Sequence, residues 1–173
     1  MEGLEKTGDI LVEAAGRILE RMFFTLVDQA VDQADTAPPE AQPQTSSDSS
    51  LAAEIAFRGT LSGRLRLVAT ALGARELAVS FMGAADPAEL TSGQISEVLQ
   101  ELSNMVCGST LSRLAPRVVF DLESPEPLPP GRTQEPPNRP TLARRLKTGS
   151  GWIDLYWFWD AAGGARDGQM LMV

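Results

Sequence analysis

The sequence contains no histidine and a single cysteine, Cys107. Without histidine, the commonest general base, the commonest zinc ligand and every serine–histidine or cysteine–histidine nucleophile pair are excluded. One cysteine forms neither an intrachain disulfide nor a thiolate metal cluster, and we expect it to be a small buried apolar residue. Any chemistry must therefore use carboxylates, amides, hydroxyls or groups of a partner.

Basic residues are also few, with 15 Lys and Arg against 23 Asp and Glu and a net charge of -8. The electrostatic field of this negative charge repels phosphate backbones and acidic membrane surfaces, so neither nucleic acid nor a membrane is an expected partner. No apolar run approaches the roughly 20 residues that span a bilayer, and the N-terminus is acidic rather than basic like a secretion signal. We expect a cytoplasmic protein with one domain over residues 1–173.

Helical spacing of apolar residues predicts a long amphipathic helix from Asp9, its expected N-cap, to about Gln33. A Pro-, Ser- and acid-rich segment at about 34–50 then predicts a flexible loop. Alternating residues predict a hairpin over Ala53–Ala69, and a short helix follows that ends at Gly83.

Asp86 before Pro87 predicts the start of the next helix, which should stop near Pro116. RVVFDLE, residues 117–123, predicts a third strand, and a second flexible loop is expected at about 124–140. The last segment, GWIDLYWFWD, AAGGARDG and QMLMV, predicts a closing hairpin. The expected fold class is α+β, an antiparallel sheet with helices packed on one face.

Two features near the C-terminus do not require a functional site to explain them. Arg144, Arg145 and Lys147 form a basic cluster that we interpret as a solvated loop. Apolar residues on both faces of residues 152–159 favour a central strand, with a subunit interface as the alternative.

In SEVLQELSNMVCGSTLSRL, residues 96–114, the spacing places Glu97, Glu101, Asn104 and Gly108 on one polar helix face. Gly108 costs the helix about 0.5–1 kcal/mol relative to alanine and is mild evidence for close docking at this face. The spacing alone proves little, because Glu135 and Asn138 repeat it among prolines that exclude a helix.

ELSNMVCG resembles the signature helix of the CheC/CheX family of chemotaxis phosphatases, which reads Glu, two residues, Asn, then a small apolar run and Gly. ILERMFFTLV, AFRGTLSGRLRLVAT with RELAVSFMG, and SPEPLPPG with Pro127 resemble other parts of that family in the same order. The chain carries one helical copy of this motif, which is similar to CheX-type members, whereas CheC-type members carry two. Glu97 departs from the Asp or Ser that family members often have there.

The resemblance implies hydrolysis of the aspartyl phosphate on a CheY-like response-regulator receiver domain. Asn104 would hold the attacking water, Glu101 would pair with the regulator's lysine, and Glu97 and Gly108 would shape the docking face. No cofactor of its own is implied, because the magnesium would belong to the receiver domain. CheX-type relatives are dimers, so the resemblance slightly favours the alternative of a homodimer interface at residues 152–159. The alternative is a non-catalytic module that docks a receiver domain or a flagellar-switch partner.

Overall fold

The computed structural model describes residues 2–32, 50–129 and 140–160. The loop expected at 34–50 lies outside these residues except for Ser50, and so does most of the loop expected at 124–140. The second Glu–Asn pair and the QMLMV segment also lie outside them.

Helix α1 spans Glu2–Phe23, so the predicted helix from Asp9 to Gln33 is wrong at both ends. Asp9 lies inside the helix rather than capping it. The helix ends because Phe24 adopts a left-handed φ of 49° and the Thr25 amide donates to the Leu19 carbonyl at 3.0 Å. This hydrogen bond satisfies a carbonyl of the last turn. The left-handed residue that makes such a bond possible is usually a glycine. Strand β1, Val27–Asp32, follows at once.

The predicted hairpin is confirmed as β2, Ser50–Arg58, and β3, Gly63–Thr70, paired antiparallel. Helix α2, Ala71–Met82, follows β3 directly, because the Thr70 hydroxyl accepts a hydrogen bond from the Gly73 amide at 3.1 Å. The helix ends at Gly83, as predicted, where φ is 64°.

Helix α3 spans Ser92–Leu114 and begins later than predicted. Asp86 instead caps one turn of 3₁₀ helix, Pro87–Glu89, because Leu90 is extended and breaks the helix there. Thr91 is the true N-cap: its hydroxyl accepts from the Gln94 amide at 3.2 Å, and the Gln94 side chain accepts from the Thr91 amide at 2.9 Å. The helix stops before Pro116, as predicted.

Beyond α3 the chain differs from the sequence prediction in two places. Only Asp121–Leu122 of the predicted third strand pairs, as β4, and the expected loop contains a short strand β5, Glu126–Leu128. The basic cluster lies on strand β6, Leu142–Thr148, and not in a solvated loop. The reason is cross-strand pairing: Arg144 contacts Asp32 of β1 at 2.7 Å, and Arg145 forms two hydrogen bonds to Asp154 at 2.6 and 2.8 Å.

Strand β7, Gly151–Trp159, is central in the sheet, as the sequence favoured. Among the described residues the strand order is β1-β6-β7-β3-β2-β4, with β5 also on β2, and all pairs are antiparallel. Strand β7 pairs with β6 on one edge and with β3 on the other, so its hairpin partner among the described residues is the preceding β6. The predicted α+β class with an antiparallel sheet is confirmed.

One face of the sheet packs against the helices and forms the core. Ile55, Leu65, Leu67, Leu155 and Trp157 are at most 1% exposed on this face. Helices α1, α2 and α3 all contribute residues, so the core lies between the sheet and a layer formed by these three helices. The opposite face, which we call the outer face, carries Glu54, Arg64, Arg66, Asp154, Tyr156 and Phe158.

Candidate functional site

Helix α3 presents one exposed ridge, on the side away from the core. Glu97 and Glu101 are exposed, while Asn104 and Gly108 are half-buried. The opposite side of α3 is buried through Ile95, Val98, Leu99, Leu102, Ser103, Val106, Cys107, Thr110 and Leu111. Side chains three and four residues apart on a helix lie about 5–6 Å from each other at Cβ, so Glu101 and Asn104 are neighbours.

The helix that carries this ridge is held by α1, α2, β2 and β5. Arg113 reaches Glu13 of α1 at 3.4 Å. The buried hydroxyls of Ser103 and Thr110 donate within the helix to the carbonyls of Gln100 and Val106, each at 2.7 Å, so they leave no unsatisfied polar group in the core. The backbone beneath the ridge is therefore fixed by packing.

The side chains of Glu97, Glu101 and Asn104 form no hydrogen bond or ion pair with any described residue. A carboxylate and an amide in this state are available to another molecule. The carboxylate accepts hydrogen bonds, whereas the amide of Asn104 both donates and accepts them, which suits it to hold a water molecule.

Gly108 has a neighbour within its own chain. A Cβ at this position would lie 3.7 Å from Leu122 Cδ2 of β4, an ordinary van der Waals contact. Sequence patterns do not predict this contact between Leu122 and Gly108, because the two residues are separated in the chain and belong to different elements. The glycine is not required by crowding within the described chain, and a role in docking stays a prediction.

The ridge borders neither of two surface cavities, which bears on the kind of partner it suits. The cavities of about 250 and 510 Å³ lie elsewhere, between α1 and β1 and beside the β2–β3 turn, and neither is lined by residues of α3. Small-molecule sites are usually concave. An exposed carboxylate and amide on a helix instead suit insertion into a concavity on another protein.

Cys107, directly beneath the ridge, is 0% exposed. Burial raises the pKa of its thiol to about 12, so the reactive thiolate is essentially absent near neutral pH. The prediction that this cysteine is a buried apolar residue is confirmed.

Within residues 2–32, 50–129 and 140–160, no three or more Cys, Asp or Glu side chains are grouped closely enough to hold a metal ion. In the same part of the chain, no helix has the length and apolar character needed to cross a membrane.

Residues 51–131 match the family model described as chemotaxis phosphatase CheX. This stretch includes the hairpin, α2, the whole of α3 and the strip that contains β4 and β5. No curated protein matches the sequence significantly.

Solved structures of CheX proteins share the fold. A chemotaxis protein CheX from Desulfovibrio desulfuricans is 16% identical, with a TM-score of 0.65 over 90% of this chain and 99% of that chain. CheX from Vibrio vulnificus is 13% identical, with a TM-score of 0.66 over 89% and 96%. A CheX from Borrelia burgdorferi, solved as a CheX–CheY–BeF3–Mg²⁺ complex, is 15% identical, with a TM-score of 0.62 over 87% and 96%.

At these identities the structural likeness establishes the fold, and the family model adds the sequence pattern of the segment that contains the ridge. The resemblance of this chain to the CheC/CheX family of chemotaxis phosphatases is therefore confirmed.

Proposed function

We propose that this chain is a phosphatase that hydrolyses the aspartyl phosphate of a response-regulator receiver domain. The observation that carries the proposal is the pairing of Glu101 and Asn104 on an exposed ridge, without partners among the described residues, in the segment that matches the CheX family model. The Borrelia burgdorferi CheX that shares this fold forms a complex with CheY, BeF3 and Mg²⁺, which supports a CheY-like receiver domain as the partner.

Asn104 orients the attacking water. Phosphoryl transfer passes through a loose transition state, so alignment of the nucleophile with the leaving oxygen matters more than a strong base. The Asn104 amide accepts a hydrogen bond from the water and donates one to the phosphoryl group or to the water oxygen. The water oxygen forms the new bond to phosphorus, the bond to the receiver's aspartate breaks, and that aspartate leaves as a carboxylate. The proton lost by the water goes to the phosphate product.

Glu101 fixes the position of the receiver by pairing with the receiver's lysine near its phosphorylation site. The interaction joins opposite charges in a docked and partly dry interface, where it is stronger than on an open surface. The receiver supplies the Mg²⁺, which neutralises charge on the phosphoryl group, and this chain holds no metal of its own in the proposal. Glu97 and Gly108 shape the docking face on either side of the pair.

The test measures phosphate loss from a phosphorylated CheY-like receiver domain in the presence of Asn104→Ala. We expect the stimulated rate to fall at least about 10²-fold, the scale of the loss when a reacting group is misplaced, while thermal unfolding is unchanged. Asn138→Ala is the matched control, because Asn138 is the other asparagine with a glutamate three residues before it. Full activity of Asn104→Ala at saturating receiver concentration would refute the mechanism.

Binding is measured on the same samples, because the alternative function is docking without catalysis. A wild-type chain that binds the phosphorylated receiver without accelerating phosphate loss would establish a binding module instead. A phosphatase is indicated if binding survives in Asn104→Ala while the acceleration is lost. Glu101→Gln should weaken binding and rate together, since it removes the charge that pairs with the lysine.

A further inference from the structure

A series of side-chain hydrogen bonds runs along α3 beside the ridge. The Ser103 hydroxyl donates to the Gln100 carbonyl at 2.7 Å. The Gln100 side-chain amide donates in turn to the Ser96 carbonyl at 3.3 Å. Ser103 is 0% exposed and directly precedes Asn104, and Gln100 directly precedes Glu101. Two residues of this series are therefore sequence neighbours of the two residues to which we assign the reaction.

The Gln100 carbonyl belongs to the peptide group that joins residues 100 and 101, so its carbon is bonded to the Glu101 nitrogen. In an α-helix each amide donates to the carbonyl four residues earlier, so the same oxygen accepts a hydrogen bond from the Asn104 amide. One peptide group therefore connects the backbones of Glu101 and Asn104. The hydroxyl of the buried Ser103 is the second donor to its oxygen.

The stability of α3 does not account for a serine at position 103. Alanine has the highest helix propensity, whereas serine competes with the backbone for hydrogen bonds. A serine hydroxyl that bonds to a carbonyl of the preceding turn slightly destabilises a helix and often bends it. Among the described residues, the Ser103 hydroxyl bonds within α3 and to no second element. What the hydroxyl adds is therefore a local constraint on the Gln100 carbonyl.

This constraint bears on the alignment of Asn104 with the phosphoryl group. In the proposed reaction Glu101 pairs with the receiver's lysine, which fixes one end of the turn. The position of the Asn104 amide then depends on the backbone between the two residues. Misplacement of a reacting group by about 1 Å costs about 10²-fold in rate. A change in the tilt of the Gln100 peptide group should therefore affect the attacking water and leave docking unchanged.

We propose that Ser103 is a positioning residue for the phosphatase reaction. Its hydroxyl holds the Gln100 carbonyl and so sets the spacing between the Glu101 carboxylate and the Asn104 amide. The inference rests on the proposed function, because it assigns a role within the same site. Ser103 is fully buried and does not touch the receiver, so it acts on the turnover number and not on affinity.

Thr110 provides the matched control. It is also 0% exposed, and its hydroxyl donates to the Val106 carbonyl at the same distance, 2.7 Å. The turn from residue 106 to residue 110 carries neither Glu101 nor Asn104. Thr110→Val removes this hydrogen bond with almost no change in side-chain volume. It therefore removes the same kind of hydrogen bond from α3 and leaves the turn between the reacting residues intact.

The experiment measures kcat and KM for phosphate loss from a phosphorylated CheY-like receiver domain, together with urea unfolding. Ser103→Ala should lower kcat about 2- to 13-fold, the factor equivalent to one intramolecular hydrogen bond. KM should stay unchanged. The free energy of unfolding should not fall, because the Asn104 amide still donates to the Gln100 carbonyl. Thr110→Val should leave kcat unchanged.

A second pair of variants isolates the hydroxyl from the volume of the side chain. Ser103→Thr and Ser103→Val add nearly the same volume to the core, but only threonine has a hydroxyl that bonds to a carbonyl of the preceding turn. The value of kcat should therefore be higher in the threonine variant than in the valine variant. Equal values would contradict the positioning role.

Three results with Ser103→Ala and its control would also overturn this role: wild-type kcat in Ser103→Ala, an equal loss of kcat in Thr110→Val, or a rise in KM at unchanged kcat. In each case an active wild type and an inactive Asn104→Ala would leave the proposed function standing. A wild type that does not accelerate phosphate loss would refute the proposed function and the positioning role together.

Discussion

Replacing Gly108 with alanine separates the stability of α3 from the fit of its ridge to a partner. Gly108 lies in the interior of α3, where glycine costs about 0.5–1 kcal/mol relative to alanine. The added methyl group would meet Leu122 Cδ2 at 3.7 Å, so no side chain has to move. We therefore expect Gly108→Ala to raise the free energy of unfolding by about 0.5–1 kcal/mol and the Tm by about 1–4 °C.

The same variant should bind the receiver less well. If the partner's backbone approaches the ridge closely at Gly108, a methyl group overpacks the interface at a cost of about 1–3 kcal/mol, which weakens binding about 5- to 150-fold. The variant would then be more stable and less active, a combination that general damage to the fold does not produce. Urea unfolding gives the stability, and titration of the phosphatase rate against receiver concentration gives the affinity.

Gly16→Ala is the matched control. Gly16 lies within α1, and apart from its chain neighbours and the adjacent backbone of α1, no atom lies within 4 Å of the position where its Cβ would be built. This variant should gain stability by a similar amount and bind the receiver normally. Unchanged affinity in Gly108→Ala would refute close approach at this position. Loss of stability in Gly108→Ala would refute the description of the Leu122 contact.

Two further predictions concern α3. Thr91→Ala removes the hydroxyl that accepts from the Gln94 amide and keeps the Thr91 amide that donates to the Gln94 side chain. It should lower the free energy of unfolding by about 0.5–2 kcal/mol, measured by urea unfolding, without changing the phosphatase rate of the folded protein. Cys107 has a pKa raised by burial from 9.0 to about 12, so the unfolded chain releases this proton first as pH rises. Its contribution to stability should be complete below about pH 9 and should fall by about 1.4 kcal/mol per unit up to about pH 12. Urea midpoints of wild type and Cys107→Ala should therefore converge or cross as pH rises, and parallel pH profiles would contradict the raised pKa.

The parts of the fold that the sequence predicts well depend on local patterns. The hairpin follows from residues that alternate between buried and half-exposed positions, such as Ala53 and Ile55 in β2. Helix α2 follows from Gly83, which adopts the left-handed conformation that glycine favours. Helical spacing alone predicts that Glu97, Glu101 and Asn104 lie on the same side of α3, away from the core.

The errors have physical causes that a single sequence hides. The sequence predicts an α1 that ends too late, because Phe24, and not glycine, takes the left-handed position. The apolar spacing also continues through Leu26 and Val27 into β1. The sequence predicts the start of α3 at Asp86 because two capping residues, Asp86 and Thr91, occur in succession, whereas Asp86 caps only a single turn. The local sequence favoured the first cap, whereas the extended backbone at Leu90 favours the second.

The charges of residues 144–147, considered without their neighbours, predict a solvated loop where the structure has strand β6. Arg144 and Arg145 are paired with Asp32 and Asp154, which lie on neighbouring strands on either side of β6. Such pairs depend on strand order, which no local window contains. The roles of Glu101 and Asn104 are likewise not encoded in spacing, since Glu135 and Asn138 have the same spacing among prolines.

The packing of α3 has a consequence for the entropy of docking. Glu101 and Asn104 project from a helix whose buried side is fixed against two other helices and the sheet, so the backbone that carries them is ordered before any partner arrives. A pair of side chains on a mobile loop would lose backbone freedom at each encounter, whereas this pair loses only side-chain rotamers. The entropic cost of ordering this protein on binding is therefore small. Differences in affinity among receivers should arise from the receivers themselves.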